Sequence, residues 1–383
     1  MLASLSVFAD SYPVASLTSG PDRWQKKRIR VEISNSLLRS PNSIKPESDV
    51  QSAIAASFEA WTAATGIEFE YSWSDRSSVS APGRAGDGLN LITIAATPEN
   101  MLAIGASSGQ VPAQTRVFYG RRGEIAEADI VLNPIQQFST DGSFGTFDLQ
   151  STLTHEIGHL LGLEHSPIVG ATMYELQARN GFFGLPGYSK RSLSDDDLSA
   201  IRARYSVTPT ATVSGRALVD GGRGSGEFAV WAVDQSTGRV VAGRFGHDDG
   251  SYAIDGLETG DFEIFAQSCA AENDRGFAGS LGVVQIRQTR AYRLEPRVLR
   301  SFRQSIDGVG FNGQFGDLPI VLNPGGSFMM NATGKGLASD SLVISTSTSG
   351  IEIGTAGMRL HRLGTSTVIA DFSVSVADST AFG

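Results

Sequence analysis

The run His155-Glu156-Ile157-Gly158-His159-Leu160-Leu161-Gly162-Leu163-Glu164-His165 constrains this chain more than any other segment. Residues four apart share one face of a helix, so a helix through this run presents His155 and His159 to a common point. Glu156 sits about 100° further round, where it reaches a water near that point without being a ligand. Gly162 ends the helix, because glycine adopts left-handed backbone angles at little cost. Beyond that turn His165 swings back as a third nitrogen donor. Three imidazoles with a fourth position left open make the donor set of a catalytic zinc ion, whereas a structural site is closed by four protein ligands. Of the five histidines in the 383 residues, three lie in this run.

The long form of the motif, with its glycine and third histidine, resembles the metzincin zinc proteases. The chain goes on through Ser166-Pro167-Ile168-Val169-Gly170-Ala171-Thr172-Met173-Tyr174. The string HEIGHLLGLEHS followed by ATMY, with eight residues from the last histidine to the methionine, narrows the resemblance to the matrixins, the group of the matrix metalloproteinases. That resemblance implies an α+β metzincin catalytic domain, a mixed twisted sheet plus three helices, over residues 23–206. It places Met173 in a tight turn beneath the metal. Leu193 to Tyr205 resembles the last helix of matrixin catalytic domains. There Asp196 and Asp197 match the aspartates that buttress the methionine turn and tie down the mature amino terminus. Taken alone, Ser194 followed by acids is a hydroxyl cap with negative charge at the positive end of the helix dipole.

The function implied is that of a zinc endopeptidase acting on protein or peptide substrates. His155, His159 and His165 would hold one Zn²⁺, which lowers the pKa of a water towards about 7. Glu156 would accept that water's proton during attack on the scissile carbonyl and return it to the leaving amine. Two departures from the family stand out. No histidine precedes His155, so the second, structural zinc of vertebrate matrix metalloproteinases is not expected. Glu175 stands where the family carries a proline after the tyrosine, which leaves the pocket wall beyond the zinc open. Calcium is compatible with Asp87, Asp129, Asp141 and Asp148, but these lack the fixed spacing of a calcium loop and read better as solvated turns.

Upstream, Lys27 to Ile33 alternates as a half-buried strand from Arg28 onward. Ser48 with Gln51 reads as a capping box opening a helix to about Thr65, with Val50, Ile54, Phe58 and Trp61 as its core stripe and Gly66 at its end. Ile67 to Tyr71 alternates again, and Asn90 to Ala95 reads as a strand buried on both faces. Ile125 to Leu132 reads as a strand ahead of the histidine helix, which Asp148 caps. In the family, the strand nearest the zinc is an edge that takes an extended peptide by strand addition. The corresponding segment here is Glu127 to Asn133, which makes Glu127, Ala128 and Asp129, with Tyr174, candidate substrate contacts; a plain edge strand fits equally well. Phe147, Leu149 and Tyr174 fit either pocket or core.

Length suggests two or three domains. The net charge of −9, with no basic cluster, argues against nucleic acid or anionic membrane as partner. No apolar run approaches the roughly twenty residues of a membrane-spanning helix. Residues 1–22 read as a signal remnant or an amino-terminal arm, on the apolar run Leu2 to Ala9, and a secreted, extracellular location is the expectation. The single cysteine, Cys269, forms no disulfide within the chain and reads as a small buried apolar residue.

From Val207, past the linker Thr208-Pro209-Thr210, helical periodicity gives way to short strands between glycine-rich turns. Residues 207–300 therefore read as a β-sandwich, and the DGSY and GLETGDFEIFA strings resemble carboxypeptidase regulatory-like, or transthyretin-like, domains. His247-Asp248-Asp249 reads as a polar hairpin turn. Residues 301–383 loosely resemble bacterial immunoglobulin-like modules, with Ser341 to Ile344 as one strand and Asn331-Ala332-Thr333 as a glycosylation pattern. These all-β accessory domains would offer surfaces for protein or carbohydrate. The alternative reading is an extracellular binding or adhesion protein with a vestigial protease domain. Retention of both Glu156 and the whole ligand set argues against it.

Overall fold

The computed structural model describes residues 23–380, apart from 81–85, 106–110, 182–186, 188, 206–208, 220–221, 225–226, 270–275, 300, 303–304, 312–313, 317–319, 321, 338–343, 345, 347–348 and 364–366. The first unit holds strands β1 (Arg28–Ser34), β2 (Glu68–Ser74), β3 (Leu91–Thr93), β4 (Ala113–Tyr119) and β5 (Ile125–Leu132). They form one mixed sheet in the order β2-β1-β3-β5-β4, parallel except for β4, which runs antiparallel to β5. Two short strands, β6 (Phe138–Ser139) and β7 (Phe147–Asp148), pair in parallel just before the histidine helix.

Among the described residues, four helices accompany the sheet: α1 (Val50–Thr65), α2 (Pro98–Ile104), α3 (Leu149–Leu160) and α4 (Asp195–Tyr205). That is one more than expected. The short α2 forms because the Thr97 side chain caps it at Asn100 N and Pro98 presets its first turn. The cap of α1 also differs from the Ser48–Gln51 box: Asp49 accepts from Ser52 N at 3.0 Å. Gly66 closes α1 in the left-handed region, at φ +68°. Val50, Ile54, Phe58 and Trp61 are buried as their spacing predicts.

Helix α1 packs on α3, and the contact is polar as well as apolar. Trp61 Nε1 donates to the Thr154 carbonyl at 2.7 Å, and Thr154 Oγ1 meets Ser57 Oγ at 3.2 Å, all buried. Trp24 Nε1 and the Tyr205 hydroxyl, both at 2.8 Å, take up the Leu160 and Leu161 carbonyls at the end of α3. Those carbonyls have no partner within the helix, so two side chains from distant segments terminate it. One apolar core runs from β1 through α1 and α3 to Met173 and Ile201.

The topology corrects the expected peptide-binding edge. β5 lies inside the sheet between β3 and β4, and the edge on that side of the sheet is β4. Glu127, Ala128 and Asp129 are buried accordingly, at 2%, 0% and 2% exposure. Gly88 N donates to Glu127 and Leu91 N to Asp129, at 3.1 Å for the latter. Burial pushes the Asp129 carboxyl up to about 7, and Glu127 and Asp87 add to the rise. The calcium candidates are likewise engaged by protein groups: Asp87 by Arg76, Asp141 by Ser143, and Asp148 by Ser151 and Arg191.

The second unit contains β8 (Ala211–Val219), β9 (Arg223–Gly224), β10 (Phe228–Asp234), β11 (Val240–Gly246), β12 (Ser251–Leu257), β13 (Gly260–Ser268), β14 (Gly276–Ile286), β15 (Ala291–Arg293), β16 (Arg297–Val298) and β17 (Ser301–Phe302). They make two sheets, β11-β10-β13-β14-β17 and one built around β8, over a common core that includes Val213, Phe228, Val230, Ile254 and Ile264. His247 to Asp249 form the β11–β12 turn, with His247 N on Ser251 O at 2.9 Å. Cys269 is exposed, contrary to its reading as a buried residue, because it lies at the rim just beyond β13.

A third sheet, β19-β18-β20-β22-β21, comprises β18 (Ser305–Phe311), β19 (Gln314–Gly316), β20 (Ser327–Lys335), β21 (Ile351–Leu363) and β22 (Thr367–Val376). The strand expected at 341–344 lies largely outside the described residues. Asn331 is 9% exposed and donates to Asp371 at 2.6 Å, so its amide is committed inside the sheet.

Gly158 sits where α1, α3 and the Met173 turn converge. A Cβ there would lie 2.2 Å from Met173 Sδ and 2.9 Å from Trp61 Cζ2. Gly158→Val should therefore lower unfolding stability by about 1–3 kcal/mol, as overpacked cores do, read from denaturant midpoints at constant slope.

Candidate metal centre

Asp148 caps α3 through Ser151 N at 2.8 Å, as expected, and Arg191 grips the same carboxylate. The helix then carries His155, Glu156 and His159 before Gly162 turns the chain at φ +90°. The turn is closed by Gly162 N on His159 O at 2.8 Å and Leu163 N on Gly158 O at 3.0 Å. It delivers His165 beside the other two rings.

The three Nε2 atoms converge: His159 Nε2 lies 3.2 Å from both His155 Nε2 and His165 Nε2. Tetrahedral coordination at ordinary zinc–nitrogen lengths calls for about 3.3 Å between donor atoms. The protons of two rings are assigned by their partners. His155 Nδ1 donates to the Thr172 carbonyl at 2.7 Å and His159 Nδ1 to the Leu163 carbonyl at 2.8 Å. A carbonyl only accepts, so each Nε2 is left as a bare lone pair. Burial lowers His155 well below its ordinary pKa and His159 to about 4, which keeps both rings in the neutral, ligating form. Among the described residues this is the one cluster of three side chains spaced to hold a metal ion.

Met173, 1% exposed, lies against α3 at Gly158, and Asp197 builds its turn. The Asp197 carboxylate accepts from Thr172 N at 2.8 Å and Met173 N at 2.9 Å. It also exchanges bonds with Ser194, whose Oγ caps the same helix turn. Thus one carboxylate fixes Thr172, and through the Thr172 carbonyl the ring of His155. Among the described residues, Asp196 is bonded to Ser166, Gly243 and Arg244.

Glu156 is 4% exposed, and burial pushes its carboxyl up to about 7. Thr115 Oγ1, on the edge strand β4, donates to Glu156 Oε2 at 2.5 Å. The free sheet edge therefore runs directly past the acid of the motif. Thr115 and Lys190 are site residues the sequence reading did not contain. Lys190 is 1% exposed, donates to the Tyr174 carbonyl, and is pushed down to about 7 by burial against the pull of Asp197 and Glu156. Its ammonium lies 5.9 Å from the centre of the Tyr174 ring, so the buried cation faces both the ring and the carbonyl of Tyr174. No local pattern marks Lys190; only a charged side chain predicted beside a paired-acid helix could have drawn notice to it.

Asp197→Ala would leave four donors without their acceptor in a dry setting. Losses of about 3 kcal/mol or more are expected, since bonds to a buried charge are each worth about 1.5–3 kcal/mol, together with weakened zinc retention on dialysis.

Comparison with known proteins agrees with this geometry. The matrixin family model matches residues 109–206, which run from β4 to the end of α4. The chain is 35% identical over 85 residues to "Metalloendoproteinase 1" of Glycine max, covering 22% of this chain and 23% of that protein. It is 34% identical over 97 residues to "Metalloendoproteinase 2-MMP" of Arabidopsis thaliana, covering 24% of each. With "Interstitial collagenase" of Oryctolagus cuniculus it shares 26% identity over 198 residues, 49% of this chain and 34% of that one. The matches thus span between about a quarter and a third of these relatives' own length. Where this chain holds its three converging histidines, it is similar to metalloproteases of the matrixin family.

Proposed function

We propose that this chain is a zinc-dependent endopeptidase of the metzincin type, acting on extended segments of extracellular proteins. The observation that carries the reading is the convergence of three neutral Nε2 atoms beside a buried carboxylate and a free sheet edge. His155, His159 and His165 would hold the ion, and the donor set, three nitrogens of neutral rings, suits zinc. Bound there, zinc supplies a Lewis acid that polarises a carbonyl and makes water a nucleophile near neutral pH.

The rest of the chemistry belongs to side chains and backbone. β4 pairs with β5 on one side only among the described residues, and its other side is where a peptide strand would be added. A peptide aligned there would bring its scissile bond past Thr115 and Glu156. Glu156 takes the proton of the attacking water and returns it to the leaving amine, and its raised pKa suits a group that must do both. Thr115 holds Oε2 in place. Met173 shapes the floor and transfers no proton. An extracellular site of action belongs to the same proposal and rests on the apolar run Leu2 to Ala9.

The test is cleavage of a quenched-fluorescent peptide library by the zinc-loaded chain beside its Glu156→Ala variant. The variant should keep one zinc per chain and lose about 10²- to 10⁴-fold in turnover, the range for a removed general base. Turnover near that of the parent would sink the mechanism. His159→Ala should lose the metal itself, measured by elemental analysis.

A further inference from the structure

We infer that the second unit is a working part of the metal centre: β11, through Gly243 and Arg244, fixes the loop that carries His165 by way of Asp196. Asp196 and Arg244 are then positioning residues for the third ligand. The inference rests on the zinc reading of the three histidines.

Ser166 follows His165 directly, and three bonds determine where it sits. Its N–H donates to Met173 O at 2.9 Å, its Oγ accepts from Ile168 N at 3.0 Å, and the same Oγ donates to Asp196 Oδ2 at 2.5 Å. The other oxygen of Asp196 belongs to the second unit. Gly243 N donates to Oδ1 at 2.5 Å, and Arg244 Nη1 stands 3.4 Å from it. Asp196 is 2% exposed, so this carboxylate has no water to replace a lost partner. Burial alone favours its neutral form, and Arg244 opposes that. Arg244 is itself aimed by Asp255, which accepts from its Nε at 3.0 Å and its Nη2 at 2.6 Å.

The steric fit is equally close. A Cβ at Gly243 would lie 2.6 Å from the Ile168 side chain and 3.4 Å from Pro167, so β11 and the ligand loop are in close contact there. At the other end of the contact, Gly256 has φ +77° and a Cβ there would lie 2.0 Å from Ser199 O. Ser199 Oγ donates to Asp255 O at 3.0 Å, and Arg239 pairs with Asp195 at 2.8 Å. Helix α4 thus grips the methionine turn with Asp197 and the His165 loop with Asp196, while the second unit grips α4.

The test uses the full chain and its Arg244→Ala, Arg244→Lys, Ser166→Ala and Arg287→Ala variants. Zinc dissociation constants come from competition with a chromophoric chelator, and melting temperatures of the metal-free forms are taken alongside. Arg244→Ala should weaken zinc several-fold, approaching the roughly tenfold cost of losing a partner bonded directly to a ligand. Arg244→Lys should recover part of that loss, since it restores the cation beside Asp196. Ser166→Ala cuts the same link from the ligand side, leaves the second unit untouched, and should reproduce the effect. Arg287, exposed and paired with Asp261 outside the chain of bonds that runs from Arg244 to Ser166, is the control and should leave zinc affinity unchanged. Parent-like affinity in both Arg244→Ala and Ser166→Ala, or an equal loss in Arg287→Ala, overturns the inference. A parent chain that binds no zinc overturns the metal reading and this inference together. A parent that binds zinc but cleaves nothing overturns the peptidase reading alone.

Discussion

Three ring nitrogens crowded together, with His159 Nε2 3.2 Å from each of the other two, are tolerated only if something outside the rings fixes them there. Everything around the centre serves that constraint. Backbone carbonyls, Thr172 O and Leu163 O, hold two of the rings by their far nitrogens. A carbonyl is a fixed reference only if its own peptide is fixed, and Asp197 does this for Thr172 with two short bonds to successive N–H groups. Asp197 in turn is the first-turn acid of a capped helix, where the macrodipole favours its charge. The order of dependence runs from the metal site outward, through one carboxylate, to a helix whose other face meets the second unit.

The charges beneath the site follow the same logic. Glu156, Asp197 and Lys190 are all nearly inaccessible to water. Two carboxylates so placed would repel each other with little screening, and a single buried ammonium facing both offsets this. Lys190 is anchored by a carbonyl of the segment that follows Met173, so the cation, the turn and the acids are set by one another's positions.

The centre was legible in the sequence because its information is local. Four of its residues lie within eleven positions, and helical geometry plus one glycine determines how they meet. Strand existence was legible too, since alternation reports burial. Neighbours within the sheet were not: whether Ile125–Leu132 is an edge depends on where Ala113–Tyr119 returns, and no local pattern encodes that. The same reason hid Thr115, which meets Glu156 across 41 positions, and the Asp196–Gly243 bond, which spans 47. The cap of α1 was misread by one residue because Ser48 and Asp49 are both good caps and only the backbone chooses between them. Cys269 was read from the habits of its residue type, and its place at the rim of the second unit overrode them.

Gly158 also bears on what keeps the metal-binding helix in shape. Mid-helix glycine costs about 1 kcal/mol relative to alanine, so the segment that carries the ligands is a poor helix by itself. Its gap is filled only when the sulfur of Met173 and the edge of Trp61 arrive. The register of the histidines is therefore held by the packing of α1 and the methionine turn on α3 more than by the helix's own preference.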